Sequence, residues 1–364
     1  MNSNAMIFKT EERVQINLRA LYSSYGYSQY KMSKFEEYDL YVKNKDFLVA
    51  GDMITFTDAS GKLMALKPDV TMSIIKNSTE GETLRKVFYN ENVYRMPKGS
   101  HAFKEIMQVG LECIGDVDEY AVCEVLMLAS KSLECISPSW TMDVSHLGII
   151  SGVLDYVGLT DYQDQILQLL GEKNVGGIKE LCAENGLPSE KTALVEKLAT
   201  VSGNIKTIGD VVDGFAVNDV AKSAVTSLKS LLGEVERQGI ENVNVDFSVS
   251  SNMKYYNGIV FCGFVDGIPT SVISGGQYDN LMKRMGKSSK AIGFAVQLDL
   301  LERFGQNKKK YDFDVLVITG DANLCEINDT VRKIKEQGKS VYVAKNDNVS
   351  VKCENTVTVG KGGN

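Results

Sequence analysis

Histidine and paired cysteines, from which zinc sites are built, are scarce in this sequence. Only two histidines occur, His101 and His146, and the seven cysteines include no Cys-x-x-Cys pair. A zinc site needs about four nitrogen or sulfur ligands at characteristic spacings, so these residues exclude a conventional zinc site. Because the number of cysteines is odd and none are paired in such a motif, we interpret them as reduced, mostly buried thiols of a cytoplasmic protein. No metal and no cofactor are expected.

Long apolar segments are missing as well. No run of about 18 apolar residues occurs, so no transmembrane helix is predicted. The first residues lack the apolar segment of a signal peptide. Whether residues 1–5 are an expression remnant is left open, and they are excluded from the fold prediction.

Common phosphate-loop and hydrolase motifs are also absent. The patterns GxGxxG, GxSxG and HExxH do not occur. The stretch GKSS at 286–289 resembles the end of a phosphate-binding loop, but Leu281 stands where the first glycine is required, so we predict a turn. The formal net charge is −7, which argues against a nucleic-acid partner because phosphate contacts need clustered lysine and arginine.

The patterns that are present predict an α+β protein. Helical spacing indicates helices at 10–25 and 119–136, and apolar strand patterns occur at 83–96, 102–115 and 243–249. An antiparallel sheet with flanking helices suits this order better than alternating βαβ units.

A change of composition divides the chain. Repeats rich in leucine, lysine and glutamate, with glycine breaks, predict four or five short helices after residue 154. A strand–helix–strand order near the end predicts a small parallel α/β unit. The predicted domains are a discontinuous core (6–154 and 241–306), a helical insertion (155–240) and a small C-terminal α/β unit (311–364).

Polar residues stand among apolar neighbours in the predicted strands. Under strict alternation, Gln108, Gly110 and Glu112 share one face of a strand. Burying such polar groups without partners costs about 1–3 kcal/mol each, so either they satisfy one another or a polar ligand does. The pattern alone favours mutual satisfaction. Asp69 and Arg95, which lie in neighbouring segments, would suit a zwitterionic ligand.

Seven stretches, in the same order, resemble the catalytic core of class II histidyl-tRNA synthetases. They resemble still more closely a paralogous family, the regulatory subunits of ATP phosphoribosyltransferase. The resemblance covers about residues 8–306, with a helical insert in the expected gap. The stretches are YGYSQYKMSKFEEYDLY, LKPDVT, FYNENVYRM, FKEIMQVGLECIG, YYNGIVF, SGGQYDNL and AIGFAVQL.

The resemblance implies a class II synthetase-like fold and a histidine pocket. In that family, the acidic residue of L-R-P-[DE]-x-T holds the amino group of histidine, and paired tyrosines flank the imidazole. The positions that match the family's histidine-binding residues are Asp69, Thr71, Arg95, Gln108, Glu112, Tyr255 and Tyr256.

The positions that match the synthetase's catalytic residues have changed. Ser251 replaces the arginine that serves histidine activation, and Lys254 replaces the carboxylate before the paired tyrosines. Leu300 replaces the motif 3 arginine that holds ATP phosphate. Losing one fixed cation of this kind typically costs about 10²–10³ in rate, so the resemblance implies a chain without catalytic activity.

The expected function is therefore that of a regulatory subunit. By resemblance, it would activate a short-form ATP phosphoribosyltransferase catalytic subunit in the first step of histidine biosynthesis, and L-histidine would be its effector. A homodimer within a hetero-octamer is the expected assembly. Two alternatives remain open at this point, a divergent but working histidyl-tRNA synthetase and a histidine-binding sensor with another partner.

Overall fold

The computed structural model describes residues 9–44, 53–79, 81, 83–96, 102–249, 255–302 and 311–360. The chain forms two compact units, one of which is Glu11–Glu302, and the other of which includes the described residues 311–360. Each unit is described by itself. Among the described helices, none combines the length and apolar character needed to cross a membrane.

The larger unit combines strands with many helices. Its strands are β1 (Ser28–Gln29), β2 (Phe35–Glu37), β3 (Thr55–Thr57), β4 (Leu63–Leu66), β5 (Leu84–Arg95), β6 (Lys104–Gly115), β7 (Trp140–His146), β8 (Ser202–Gly203), β9 (Val243–Asp246), β10 (Ile259–Val265), β11 (Ile273–Gln277) and β12 (Lys290–Gln297). The helices up to residue 302 are α1 (Thr10–Ser24), α2 (Tyr38–Val42), α3 (Thr71–Lys76), α4 (Glu119–Ile136), α5 (Leu147–Val157), α6 (Gln163–Gly171), α7 (Val175–Glu184), α8 (Ser189–Thr200), α9 (Ile205–Asp213), α10 (Asp219–Arg237) and α11 (Asp279–Arg284).

A nine-stranded sheet with the order β1-β5-β6-β12-β11-β10-β7-β9-β8 forms the centre of this unit. Its central pairings, from β5 to β7, are antiparallel, which confirms the predicted α+β fold. The prediction of an antiparallel sheet was incomplete, because β1 pairs with β5 and β7 pairs with β9 in parallel. A parallel pair needs a long connection, and residues 147–242 provide one between β7 and β9.

Aromatic packing closes one face of the central sheet. The side chain of Tyr22, on α1, is fully buried, and its ring lies 6.1 Å from the ring of Phe88 and 6.0 Å from that of Phe294. Its hydroxyl lies 2.9 Å from the Ser132 hydroxyl on α4. Because Phe88 and Phe294 lie on β5 and β12, helices α1 and α4 cover this face, and the opposite face packs against α3 and α11.

The stretch predicted as a helical insert does form helices. Five helices, α6 to α10, and a 3-10 turn at Thr160–Tyr162 lie within residues 155–240. A Cβ atom added at Gly152 would lie 2.8 Å from the Cβ of Ala221, so α5 and α10 pack at close range. The two-residue strand β8 was not predicted, because it is too short to show a periodic pattern. The domain boundaries themselves stay a prediction.

The second unit is a small three-stranded parallel sheet with one helix. Its elements are β13 (Phe313–Ile318), α12 (Leu324–Glu336), β14 (Val341–Ala344) and β15 (Cys353–Thr358), and the sheet order is β14-β13-β15. Helix α12 begins with a capping box between Asn323 and Glu326. This arrangement confirms the predicted strand–helix–strand order.

Candidate functional site

The face of the central sheet that lies opposite α1 and α4 carries the polar residues singled out in the sequence. Gln108, Gly110 and Glu112 alternate along β6 and therefore point to the same face. In the register of the sheet, Gln297 and Gly293 of β12 lie opposite Gln108 and Glu112. The sheet thus presents a row of polar and small residues at its centre.

Glu112 is the most deeply buried acidic residue of this face, with only 2% of its surface exposed. One of its carboxyl oxygens accepts a hydrogen bond of 2.7 Å from the Thr71 hydroxyl, and the other accepts one of 2.5 Å from the Tyr278 hydroxyl. Burial raises the pKa of Glu112 to about 8, against the effect of these two hydrogen bonds, and the negative charge of Asp69 adds to the increase. The carboxyl group is therefore largely protonated near neutral pH.

This raised pKa predicts a pH-dependent stability. The folded-state pKa of about 8 lies above the ordinary value of 4.5, so the folded chain keeps a proton that the unfolded chain releases. The contribution of Glu112 to the free energy of unfolding is therefore fully present below about pH 4.5 and falls as the pH rises to about 8. The Glu112→Gln side chain cannot ionise, so its free energy of unfolding does not fall in this way. We therefore expect the free energy of unfolding of Glu112→Gln, minus that of the wild type, to increase from about pH 4.5 to about pH 8.

Denaturant titrations at about pH 5 and about pH 8 measure this difference. The single tryptophan, Trp140, lies in β7, so its fluorescence follows the larger unit. A difference between variant and wild type that stays constant with pH would contradict the prediction.

Asp69 and Arg95 lie near each other at the end of the site where α3 begins. A carboxyl oxygen of Asp69 accepts a hydrogen bond of 2.9 Å from the Met72 backbone N–H. Burial raises the pKa of Asp69, although the positive charge of Arg95 works in the opposite direction. Arg95 Nε also donates a hydrogen bond of 2.6 Å to the Pro68 carbonyl, which ties the segment before Asp69 to the end of β5.

Three tyrosines, Tyr255, Tyr256 and Tyr278, form a tyrosine cluster beside Glu112. The ring of Tyr255 lies 4.5 Å from that of Tyr256 and 5.9 Å from that of Tyr278. Burial raises the pKa of each tyrosine, so all three hydroxyls stay protonated and can donate hydrogen bonds.

Glycines make room for these side chains in the sheet. A Cβ atom added at Gly293 would collide with a carboxyl oxygen of Glu112, and one at Gly276 would lie 2.9 Å from a ring carbon of Tyr256. A Cβ atom at Gly110 would meet the hydroxyl of Tyr89. The floor of the site is therefore flat enough for the side chains of neighbouring strands to lie across it.

The structure brings most of the predicted site residues together. Thr71 contacts Glu112 directly, and the charge of Asp69 influences the pKa values of Glu112, Tyr255 and Tyr256. Gln108 is buried on the same face as Glu112, four residues away along β6.

Tyr278 was missed as a site residue in the sequence. It lies in the stretch SGGQYDNL, which carried part of the resemblance, but nothing in its local pattern shows that its hydroxyl reaches Glu112.

Of the changed catalytic positions, Ser251 and Lys254 lie outside the described residues. Leu300 lies in a 3-10 turn, Leu298–Leu301, that directly follows β12, and its side chain is half-buried. An aliphatic side chain there provides no positive charge for a phosphate. Within the described ranges, no group of three or more His, Cys, Asp or Glu side chains is arranged to hold a metal ion.

The family follows from a comparison with family models. The model for histidyl-tRNA synthetase matches residues 4–301, most of the chain. The chain belongs to the histidyl-tRNA synthetase family.

Its resemblance to the paralogous regulatory subunits is confirmed by curated relatives. The ATP phosphoribosyltransferase regulatory subunit of Clostridium kluyveri is 28% identical over 347 residues, which cover 91% of this chain and 88% of that protein. The ATP phosphoribosyltransferase regulatory subunit of Acetivibrio thermocellus is 25% identical over 356 residues, which cover 93% of this chain and 84% of that protein.

Solved structures share the fold. An ATP phosphoribosyltransferase regulatory subunit/histidyl-tRNA synthetase from Bacillus halodurans superposes with a TM-score of 0.77 at 22% identity and covers 96% of this chain and 94% of its own. A histidyl-tRNA synthetase from Nostoc sp. PCC 7120 gives 0.71 at 14% identity, with coverages of 93% and 83%. A chain of the ATP phosphoribosyl transferase complex from Thermotoga maritima gives 0.62 at 19% identity, with coverages of 78% and 96%.

Proposed function

We propose that this chain is a cytoplasmic, non-catalytic regulatory subunit of ATP phosphoribosyltransferase. It activates a short-form catalytic subunit and mediates feedback inhibition by histidine. The observation that carries the proposal is that the site keeps the groups suited to histidine but, among the described residues, lacks the family's cation for phosphate. The groups suited to histidine are assembled around Glu112, whereas the position that matches the phosphate-binding arginine is Leu300.

The chemistry of the pocket matches that of histidine. Asp69 offers a carboxylate to the ammonium group of the ligand, and Arg95 offers a guanidinium to its carboxylate. Glu112, whose carboxyl group can donate or accept a proton, faces the imidazole together with Tyr255 and Tyr256. Thr71 and Gln108 complete the set on the same side of the sheet.

The same site is poorly suited to activating an amino acid with ATP. That reaction develops negative charge on phosphate oxygens, which fixed cations must stabilise. Leu300 offers no charge, and Ser251 stands in the sequence where the family has an arginine. Losing two such cations together would cost about 10⁴ or more in rate if their effects simply multiplied.

Regulation requires that histidine prefers one state of the assembly over another. The names of the curated relatives and the complex from Thermotoga maritima support a catalytic partner of the ATP phosphoribosyltransferase type. The assembly we propose is a homodimer of this chain within a hetero-octamer.

Co-purification tests this assignment against the rival function of the family. The chain and a short-form ATP phosphoribosyltransferase catalytic subunit are expected to elute together from a size-exclusion column. The chain alone is expected to show no histidine-dependent exchange of pyrophosphate into ATP. Exchange at a rate typical of a synthetase, without complex formation, would instead assign the chain as a divergent histidyl-tRNA synthetase.

A further inference from the structure

Two polar side chains outside the predicted histidine pocket join the ends of three strands. Asn257 Oδ1 accepts a hydrogen bond of 2.7 Å from the Asp279 backbone N–H, and Asn257 Nδ2 donates one of 3.0 Å to Asp279 Oδ2. Asp279 Oδ1 accepts a further hydrogen bond of 2.9 Å from the Ala291 backbone N–H. This Asn257–Asp279 clamp therefore connects the start of β10, the end of β11 and the start of β12.

Each residue of the clamp directly follows a member of the tyrosine cluster. Asn257 comes after Tyr256, and Asp279 comes after Tyr278. Backbone hydrogen bonds, from Asn257 N–H to the Gln277 carbonyl at 3.1 Å and from Tyr278 N–H to the Ala291 carbonyl at 2.9 Å, hold the same three segments. The distance between the two tyrosine-bearing segments is thus fixed immediately beside the rings.

The clamp acts where small displacements matter. The Tyr278 hydroxyl lies 2.5 Å from a carboxyl oxygen of Glu112, and the Tyr256 ring lies over Gly276 with no space for a Cβ atom. A shift of either segment would change the hydrogen bond to Glu112 or the spacing of the rings. Binding geometry of this kind depends on neighbouring residues that hold the contacting side chains in place.

We propose that Asn257 and Asp279 are positioning residues for histidine recognition. They touch no ligand themselves, and they set the separation of Tyr256 and Tyr278 on which the affinity for the imidazole side of histidine depends. This inference rests on the proposed function, since it takes histidine as the ligand of the pocket.

The clamp can be exchanged between its two positions without losing a hydrogen bond. In Asn257→Asp, two carboxylates face each other. In Asp279→Asn, the single amide oxygen of residue 279 is left as the acceptor for both Asn257 Nδ2 and the Ala291 backbone N–H. In the double variant Asn257→Asp/Asp279→Asn, the new carboxylate accepts from the backbone N–H and the amide of residue 279. The new amide oxygen still accepts from Ala291 N–H, so all three side-chain hydrogen bonds are satisfied, and the net charge is unchanged.

The experiment is a calorimetric titration of L-histidine into the full chain and its variants, well below the unfolding temperature of each. We expect each single exchange to weaken binding by about tenfold, and the double exchange to restore it to within about threefold of the wild type. Asn218→Ala is the matched control, because Asn218 caps α10 and also donates to the Gly152 carbonyl at 2.9 Å, away from the tyrosine cluster. It is expected to lower stability and leave histidine affinity unchanged.

The outcomes separate this inference from the proposed function. If the wild type binds histidine and the single exchanges bind it equally well, the positioning role is overturned and the proposed function stands. If affinity falls in proportion to stability for all variants, Asn218→Ala included, the clamp is merely structural and the inference fails. If the wild type does not bind histidine, the effector part of the proposed function fails, and the inference fails with it.

Discussion

Replacing Glu112 with alanine is expected to weaken histidine binding by about 100-fold or more. The substitution removes the carboxyl group proposed to face the imidazole, and it leaves the hydroxyls of Thr71 and Tyr278 without their shared partner. The two hydroxyls lower the stability of the variant, whereas the affinity falls because a ring nitrogen of bound histidine loses its partner. An unpaired buried group costs about 1–3 kcal/mol, and about 2.7 kcal/mol corresponds to 100-fold in affinity. Calorimetric titration of L-histidine into the purified chain measures the effect.

Two further variants separate chemistry from packing in this experiment. Glu112→Gln keeps the size of the side chain but replaces one carboxyl oxygen by an amide nitrogen, so we expect an intermediate loss of about tenfold. Glu105→Gln changes an exposed residue of the same strand, and its affinity should match that of the wild type. Unchanged histidine affinity in both Glu112 variants would show that the pocket has been assigned to the wrong place.

Replacing Lys67 with methionine is expected to lower the free energy of unfolding by about 3–5 kcal/mol. Lys67 is fully buried, and its ammonium group pairs with the Glu91 carboxylate. The other oxygen of Glu91 accepts a hydrogen bond of 3.4 Å from the Met32 backbone N–H. Without Lys67, the largely buried carboxylate of Glu91 loses its compensating charge, and this uncompensated charge is the source of the large effect.

The magnitude can be tested against an exposed ion pair in the same unit. Lys62 pairs with Glu37 at 2.7 Å, but its side chain is 52% exposed and solvent screens the pair, so Lys62→Met should cost far less than Lys67→Met. The double variant Lys67→Met/Glu91→Gln should recover part of the loss, because it also removes the unpaired charge. Denaturant unfolding followed by Trp140 fluorescence compares all three. A cost for Lys67→Met no larger than that for Lys62→Met would contradict the prediction.

The sequence predicted those features of the fold that leave a local pattern. Alternation along 102–115 placed Gln108 and Glu112 on one face of a strand, and the structure has them there on β6. Helical spacing predicted α1 and α4 to within about one residue. The parallel pairing of β7 with β9 leaves no local pattern, since strand direction depends on how the intervening chain returns.

The arrangement of the candidate site was only partly predictable for the same reason. The resemblance to the family supplied Asp69, Thr71 and Glu112, but not the contact from Tyr278 to Glu112, which joins residues 166 positions apart. The ion pair between Lys67 and Glu91 and the Asn257–Asp279 clamp also depend on strands that meet only in the folded chain. Side-chain partners of this kind are decided by tertiary structure and leave no periodic signal in the sequence.

Turnover of a short-form ATP phosphoribosyltransferase catalytic subunit tests the central claim most directly. The rate is measured without this chain, with it, and with it at increasing concentrations of L-histidine. We expect the chain to raise the turnover, histidine to lower it again, and Glu112→Ala to shift this inhibition to higher histidine concentrations. Turnover that is the same with and without the chain would contradict the account.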